Sequence, residues 1–158
     1  MAGTAFDDMR GTFERRVSSV VWASVSTQDT RGRLRARILH PVWEFPGGRP
    51  QGWIATGRQS LKARHLAGNP YVSVAYWTPD REHVIADCRT EWAEDPAEKQ
   101  RVWALFGSKP EPYGYDLHMF WKSAEDPTYG ALKLSPWRVE MWSIGALAAG
   151  EGAQVWQA

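Results

Sequence analysis

The chain has 158 residues, a formal net charge of +1 and one cysteine, Cys88. This length suffices for one domain with a substantial core, so we expect a single domain over residues 1–158. A charge near zero provides no overall field for nucleic acid, and one cysteine excludes an internal disulfide or a multi-cysteine zinc site. The ten tryptophans are unusual, because side chains of this size line a core, a subunit interface or a pocket for a flat ligand.

The first residues, MAGTAFDDMRGTFERR, are amphipathic and include acidic side chains. We therefore expect neither a secretory signal nor a membrane span here, and a cytoplasmic protein by default. Phe6, Met9, Phe13 and Val17 recur at helical spacing. This spacing predicts an N-terminal helix over residues 5–17.

Two segments with period-two alternation follow, at residues 20–27 and 33–40, and predict two strands joined by a turn. In the second strand, Leu34, Ala36 and Ile38 fall on one face, and Arg33, Arg35, Arg37 and Leu39 fall on the other. Arg37 lies deeper in this strand than the other two arginines. A buried guanidinium needs an anion, and phosphate matches its fork of donors.

Residues 53–77 are predicted to form a strand, a tight turn, a short helix and a second strand. Ser60 has the helix N-cap position, and Gly68-Asn69-Pro70 is predicted to end the helix with Gly68 in a left-handed conformation. Free N–H groups, the positive end of the helix dipole and the ammonium of Lys62 converge at the start of this helix. That combination favours a phosphate.

The remaining segments complete a mainly β pattern. Residues 41–51 are predicted to be a loop, 83–94 a long strand, 95–106 a helix begun by Asp95-Pro96, and 108–128 a covering loop with one helical turn near 118–122. Residues 129–134 and 136–143 predict the last strands, and the tail 145–158 is expected to be loosely held. Strands joined mostly by tight turns favour a closed antiparallel barrel with helices packed outside it.

Familiar catalytic motifs are absent from the sequence, which contains no GxGxxG after a strand, no GxxxxGK[ST], no GxSxG and no HExxH. The four histidines lack metal-ligand spacing, so no metal site is predicted, and the catalytic residues are unknown. Cys88 lies in a predicted strand and is interpreted as core packing. What remains is an anion site built from Arg37, Ser60 and Lys62 beside many aromatic residues.

In their order along the chain these residues resemble the FMN-binding split β-barrel proteins related to pyridoxamine 5′-phosphate oxidase. The family pattern S-x-K-A-x-x-L-x-x-N-P-x-V-S is met by Ser60, Lys62, Ala63, Leu66, Asn69, Pro70, Val72 and Ser73. Two further matches are the arginine-led strand Arg37-Ile38-Leu39-His40 and the late strand ending at Trp142. The resemblance extends over about residues 20–142.

This resemblance implies a closed antiparallel split β-barrel with its core at about residues 18–143, a homodimer, and FMN bound at the subunit interface. Arg37 and Lys62 would hold the phosphate, and Trp142 would lie near the ring. The complete cofactor-binding set that we predict is Arg37, Ile38, Leu39, His40, Ala55, Thr56, Ser60, Leu61, Lys62 and Trp142. The oxidase itself continues past its late tryptophan with an arginine and a histidine that bind pyridoxamine phosphate. Here Ser143 and Ile144 follow, so that particular activity is not expected.

Several functions remain open at this point. The first is an FMN-dependent oxidoreductase of unknown substrate, and the second is a reductase that uses 8-hydroxy-5-deazaflavin, whose charged tail would contact Arg33, Arg35, Arg58 and Arg64. A third is a non-catalytic haem or flavin carrier with His40, His65 or His118 as an axial ligand. An oligonucleotide-binding barrel is disfavoured by the net charge. The aromatic loop (Tyr113, Tyr115, His118, Phe120 and Trp121) is interpreted as either a substrate-facing surface or a dimer contact.

Overall fold

The structure is a computed structural model that describes residues 5–158. Four α-helices are present in this range, α1 (Phe6–Val20), α2 (Leu61–Gly68), α3 (Pro96–Ser108) and α4 (Ile144–Ala148). The strands are β1 (Ala23–Gln28), β2 (Leu34–Leu39), β3 (Val42–Glu44), β4 (Gln51–Gly57), β5 (Tyr71–Trp77), β6 (Glu82–Trp92), β7 (Tyr129–Ser143) and β8 (Gln154–Gln157). Short 3₁₀ turns lie at Pro46–Gly48 and Leu117–Met119.

The strands form one antiparallel sheet in the order β2-β1-β5-β6-β7-β4-β3, with β8 added beside β7. The predicted mainly β, antiparallel split-barrel architecture is confirmed. The hydrogen-bonded ladder is open, however, because β2 and β3 are the two edge strands and do not pair with each other within the described residues. Only His40 and Pro41 separate these two strands along the chain.

Helix α1 packs its predicted apolar face on the barrel, where Phe6, Met9, Phe13 and Val17 are all buried. The helix ends later than predicted, at Val20 rather than residue 17. Val21 turns the chain out of the helix with a φ of 70°, and its N–H donates to the Val17 carbonyl. Strand β1 therefore begins at Ala23 instead of residue 20. The predicted strand had included Val20 and Val21, but Val20 belongs to the last helical turn and Val21 ends the helix.

Two local predictions hold and two need correction. Ser60 caps α2, and Asp95 caps α3 by accepting from the Glu98 N–H. The predicted loop 41–51 contains β3, which pairs with β4. The left-handed conformation proposed for Gly68 is wrong, since Gly68 is the last helical residue and the extended Asn69 donates its N–H to the His65 carbonyl. The following Pro70 prevents a further helical turn.

The C-terminal segment is ordered against the barrel, so the prediction of a loose tail over residues 145–158 is wrong. Ser143 caps α4 by accepting from the Ala146 N–H at 3.0 Å, and β8 pairs antiparallel with β7. Trp156 is 7% exposed and lies edge-on to Phe6, with 5.4 Å between the ring centroids. This one large apolar side chain fixes a segment otherwise rich in small residues. No helix in residues 5–158 has the length and apolar character needed to cross a membrane.

Candidate cofactor site

Arg37 lies on β2 with its side chain turned inward across β1. The strands pair so that Arg37 lies opposite Val25, and Nη1 donates to the Val25 carbonyl at 3.2 Å, the Thr27 hydroxyl at 2.8 Å and the Arg35 carbonyl at 3.0 Å. The side chain is half-buried as a result. The structure therefore supports the distinction that the sequence made between Arg37 and the exposed arginines of the same strand.

Lys62 lies in the first turn of α2, next to the cap. The Ser60 hydroxyl accepts from the Ala63 N–H at 3.4 Å and from Lys62 Nζ at 3.2 Å. Lys62 Nζ also donates to the Thr56 hydroxyl on β4 at 2.7 Å. The ammonium is thereby held at the N-terminus of α2, beside the C-terminal end of β4.

These residues form a cationic notch, which we define as Arg37, Ser60 and Lys62. Burial lowers the pKa of Arg37, with a further contribution from Arg35, and burial followed by the charge of Arg37 lowers the pKa of Lys62. Among the ion pairs of residues 5–158, neither cation has a carboxylate partner within 4.0 Å. Two partly buried cations that repel each other form a site that a bound anion would stabilise.

A polar pair behind the notch was missed by the sequence analysis. The Thr27 hydroxyl, which accepts from Arg37, lies 2.9 Å from Nδ1 of His65 on α2. Both residues are buried, so they link the orientation of the guanidinium to the packing of α2. Thr27 occupies an inward position of β1, two residues from Val25, but this relation is visible only when the register of β1 and β2 is known.

A cavity of about 480 Å³ opens beside the notch. Its inner side is formed by Ile38, Leu39, His40, Ala55 and Thr56, all from the predicted cofactor-binding set. Its outer side is formed by the segment 111–121 and Trp22. We call Trp22, Tyr115, Phe120 and Trp121 the aromatic wall, and Met119 lines the cavity beside them. The fold thus brings a cationic notch, two strand ends and an aromatic wall together, as a phosphorylated flat ligand requires.

Three predicted residues occupy positions that differ from expectation. Ile38 is 63% exposed and Leu61 is 40% exposed, so neither lies in the barrel core. Strand β2 is an edge strand and presents its apolar face outward, which explains the exposure of Ile38.

Trp142 is not brought to this cavity within one chain. It lies at the far end of β7 and packs edge-on against His83, with ring centroids 4.2 Å apart, and against Trp77. The cavity lies near the start of the same strand, because Thr56, which lines it, pairs with Gly130. Trp142 lies 12 residues further along β7, a chain length of roughly 40 Å at ~3.3 Å per residue.

His40 is the buried polar group of the cavity. It is 5% exposed and its ring contacts Trp22, Tyr115 and Phe106 at centroid distances of 5.1, 5.2 and 6.1 Å. Burial lowers the pKa of His40, so the imidazole is neutral at pH 7. Its Nδ1 atom is buried and has no hydrogen-bond partner among the described residues.

The other two histidines considered as axial ligands are differently placed. His65 is engaged with Thr27 as described above, and the exposed His118 has its Nδ1 2.8 Å from an Asp116 carboxylate oxygen. Within residues 5–158 there is no group of three or more histidine, cysteine or acidic side chains that could hold a metal ion.

Comparison with known proteins gives matches among solved structures. A NimC/NimA family protein from Clostridium acetobutylicum superposes with a TM-score of 0.74 at 13% identity, over 98% of this chain and 94% of that one. The chain has the split β-barrel fold. A pyridoxamine 5′-phosphate oxidase-related, FMN-binding protein from Nostoc punctiforme matches with a TM-score of 0.65 at 14% identity, over 94% and 95% of the two chains.

A third solved structure that matches is a haem-binding protein from Mycobacterium smegmatis, with a TM-score of 0.67 and 15% identity over 99% of this chain and 59% of that one. The resemblance drawn from the sequence is therefore confirmed as a structural likeness to proteins related to pyridoxamine 5′-phosphate oxidase. No family model and no curated protein matches the sequence. At these identities the likeness establishes the fold.

Proposed function

We propose that this protein is a flavin-dependent oxidoreductase that binds FMN in the cavity beside the cationic notch and acts on a substrate still to be identified. The observation that carries the proposal is the pair formed by Arg37 and Lys62. Both cations are partly buried, both donate to neutral oxygens, and neither has a carboxylate partner within the described residues. A phosphate would supply the missing negative charge.

The residues around the notch fit an FMN molecule. The N–H groups at the start of α2 and the ammonium of Lys62 would bind the phosphate together with the guanidinium of Arg37. Ile38–His40 on one side and Ala55 and Thr56 on the other would contact the ribityl chain and the ring. When bound, the flavin supplies hydride transfer, whereas the protein binds it, orients it and keeps water away.

We further propose that the protein works as a homodimer. Large apolar side chains are exposed on one face of β2, with exposed fractions of 73% for Leu34 and 63% for Ile38. Contiguous apolar surface of this kind is typical of an interface. Since Trp142 lies far from the cavity of its own chain, it would reach a flavin ring only in the site of a second copy.

The deazaflavin alternative is less favoured by the arginines that were considered for it. Arg33 pairs with Asp29 at 2.8 Å, and Arg58 pairs with Glu94 at 3.1 Å, so two of the four candidates are already neutralised. The haem alternative is favoured by one feature, the neutral imidazole of His40 in the lining of the cavity. A haem complex would show a sharp Soret band that is lost in His40→Ala.

The test of the proposed function is cofactor binding measured by fluorescence titration with FMN, with deazaflavin and haem as separate titrants. We expect FMN to bind, and we expect Arg37→Ala and Lys62→Ala each to weaken it by roughly 1.5–3 kcal/mol, or about 10- to 150-fold in Kd, through loss of a charge-assisted hydrogen bond.

Arg35→Ala is the matched control, because Arg35 is an exposed arginine of the same strand. It should change the affinity for FMN by less than about threefold, as expected for a screened surface charge. Equal affinities of the wild type and both notch variants would contradict the proposal, as would binding of deazaflavin or haem in place of FMN.

A further inference from the structure

The aromatic wall bounds the side of the cavity that faces away from the notch. Tyr115 is half-buried and packs edge-on against Phe106 and Phe120, at centroid distances of 5.4 and 6.2 Å. Phe120 also contacts Trp121 at 5.6 Å. Mutual packing of this kind holds a set of flat faces in place, and such faces bind flat molecules by stacking.

The charges of the cavity are distributed unevenly. In the notch, Lys62 donates to Thr56 and Arg37 donates to Thr27, whereas the described residues that line the cavity include no lysine or arginine. The acidic residue at the cavity is the exposed Glu111. Burial raises the pKa of Tyr115 to about 12, so its hydroxyl is uncharged. A carboxylate or phosphate on a second ligand would find no counter-ion here and would lie near Glu111.

His40 is the polar group whose hydrogen-bonding capacity is incomplete. The ring lines the cavity, where a hydrogen bond to a ligand would recover part of the free-energy cost of burying a polar group. The ring is neutral for the reason given above, and the Tyr113 backbone already interacts with it, so it can offer a ligand one donor or acceptor without carrying charge. Sites for small molecules typically combine such an apolar enclosure with a few fixed polar groups, in volumes of roughly 300–1,000 Å³.

We propose that the aromatic wall and His40 form a substrate subsite for an uncharged planar aromatic or heteroaromatic molecule. The molecule stacks on the wall and exchanges a hydrogen bond with the imidazole. This inference rests on the proposed function, because the flavin ring would supply the opposite face of the subsite. It also gives a reason why an anionic substrate such as a phosphorylated pyridine is disfavoured, since the positive charges are placed to serve the cofactor.

The experiment compares two probes of the same shape, 2-naphthamide and 2-naphthoate, by isothermal titration calorimetry. Each is titrated into the full-length protein with and without bound FMN. We expect the neutral amide to bind at least about tenfold more tightly than the carboxylate in both forms, and more tightly when FMN is present. Equal affinity, preference for the carboxylate, or no binding of the amide to either form would overturn the proposal.

Three variants test whether 2-naphthamide binds at the aromatic wall and His40. Phe120→Ala removes an exposed side chain of the wall and should weaken the amide by about three- to tenfold, as expected for one aromatic contact. Tyr71→Ala is the matched control, because Tyr71 is an exposed aromatic residue at the start of β5, and it should leave the affinity unchanged. In His40→Leu the preference for 2-naphthamide over naphthalene should be lost, while naphthalene still binds.

The outcomes separate this proposal from the proposed function. If FMN fails to bind but the amide still binds and is weakened by Phe120→Ala, the subsite stands and the flavin proposal falls. If FMN binds and the amide does not, the reverse holds. If Phe120→Ala converts a dimer into a monomer, as seen by sedimentation, without changing the amide affinity, the wall is a subunit contact and the subsite proposal is wrong.

Discussion

At the scale of single residues, the notch shows how burial gives a common side chain a special role. Arg35 and Arg37 differ by two positions on one strand and point to the same side of it. Arg37 donates to the Val25 carbonyl and the Thr27 hydroxyl of β1 and to the Arg35 carbonyl of β2, whereas the Arg35 side chain is exposed. The sequence could indicate Arg37 by its depth in the strand. It could not reveal Thr27 or His65, because their contacts depend on strand register and on the docking of α2.

The buried histidines make a prediction about pH. Burial lowers the pKa of His40 and of His83 in the folded protein, while an unfolded histidine titrates near about 6.5. The unfolded state therefore takes up protons first as the pH falls. The stability of the fold is complete above about pH 6.5 and decreases below it until the folded pKa is reached.

We expect the free energy of unfolding, measured by urea denaturation, to decrease between about pH 7 and pH 5.5. His40→Gln should have a smaller decrease than the wild type, since it removes one of the two groups. Gln154→Ala changes an exposed residue that does not titrate, so it serves as the control and should retain the wild-type slope. An identical slope in His40→Gln would show that this imidazole does not contribute.

At the scale of elements, the strongest local signals predicted the structure well. The caps of α2 and α3, the apolar face of α1 and the long strands β5 and β6 were all expected from the sequence and are present. The boundaries that were wrong lie where two patterns overlap, as at Val20 and Val21. The C-terminal strand was missed because its partner β7 supplies the pairing and α1 supplies the contact for Trp156, and neither leaves a local pattern.

The C-terminal strand should contribute strongly to stability. Trp156→Ala would leave a cavity against Phe6, and we expect a loss of about 3–5 kcal/mol in the free energy of unfolding. Chemical denaturation measures this value. Gln154→Ala changes an exposed residue of the same strand and should cost less than about 0.5 kcal/mol. Similar small losses in both variants would mean that β8 is not part of the folded core.

At the scale of the whole molecule, the sequence predicted an antiparallel barrel, and the structure shows a split barrel whose ladder ends at β2 and β3. The order of the strands could not be predicted from composition, because it depends on which hairpins close and on how β7 bridges β4 and β6. The resemblance to a known family predicted the split-barrel architecture, which periodicity alone could not predict. Its three matched segments lie on separate strands and one helix, so they became meaningful only together.

Assembly provides the test at this scale. Leu34 is 73% exposed on the outer face of β2 and lies outside the cavity. If this face is the proposed dimer interface, Leu34→Glu buries like charges against an apolar surface and should convert the dimer into a monomer. Analytical ultracentrifugation measures the change. Thr30→Glu adds the same charge to the neighbouring turn and should leave the dimer intact; dissociation of both variants, or of neither, would contradict this interface.

The open edge at β2 also has a consequence for how the molecule avoids aggregation. An edge strand with an apolar face can template the addition of further strands from other molecules, which leads to aggregation. Arg35 is exposed at this edge and takes part in no ion pair of residues 5–158, so its charge would repel the same strand of an approaching copy. An arginine that the phosphate does not need would thus protect the barrel from unlimited strand growth. We expect its removal to lower solubility on refolding before any change in cofactor affinity is detected.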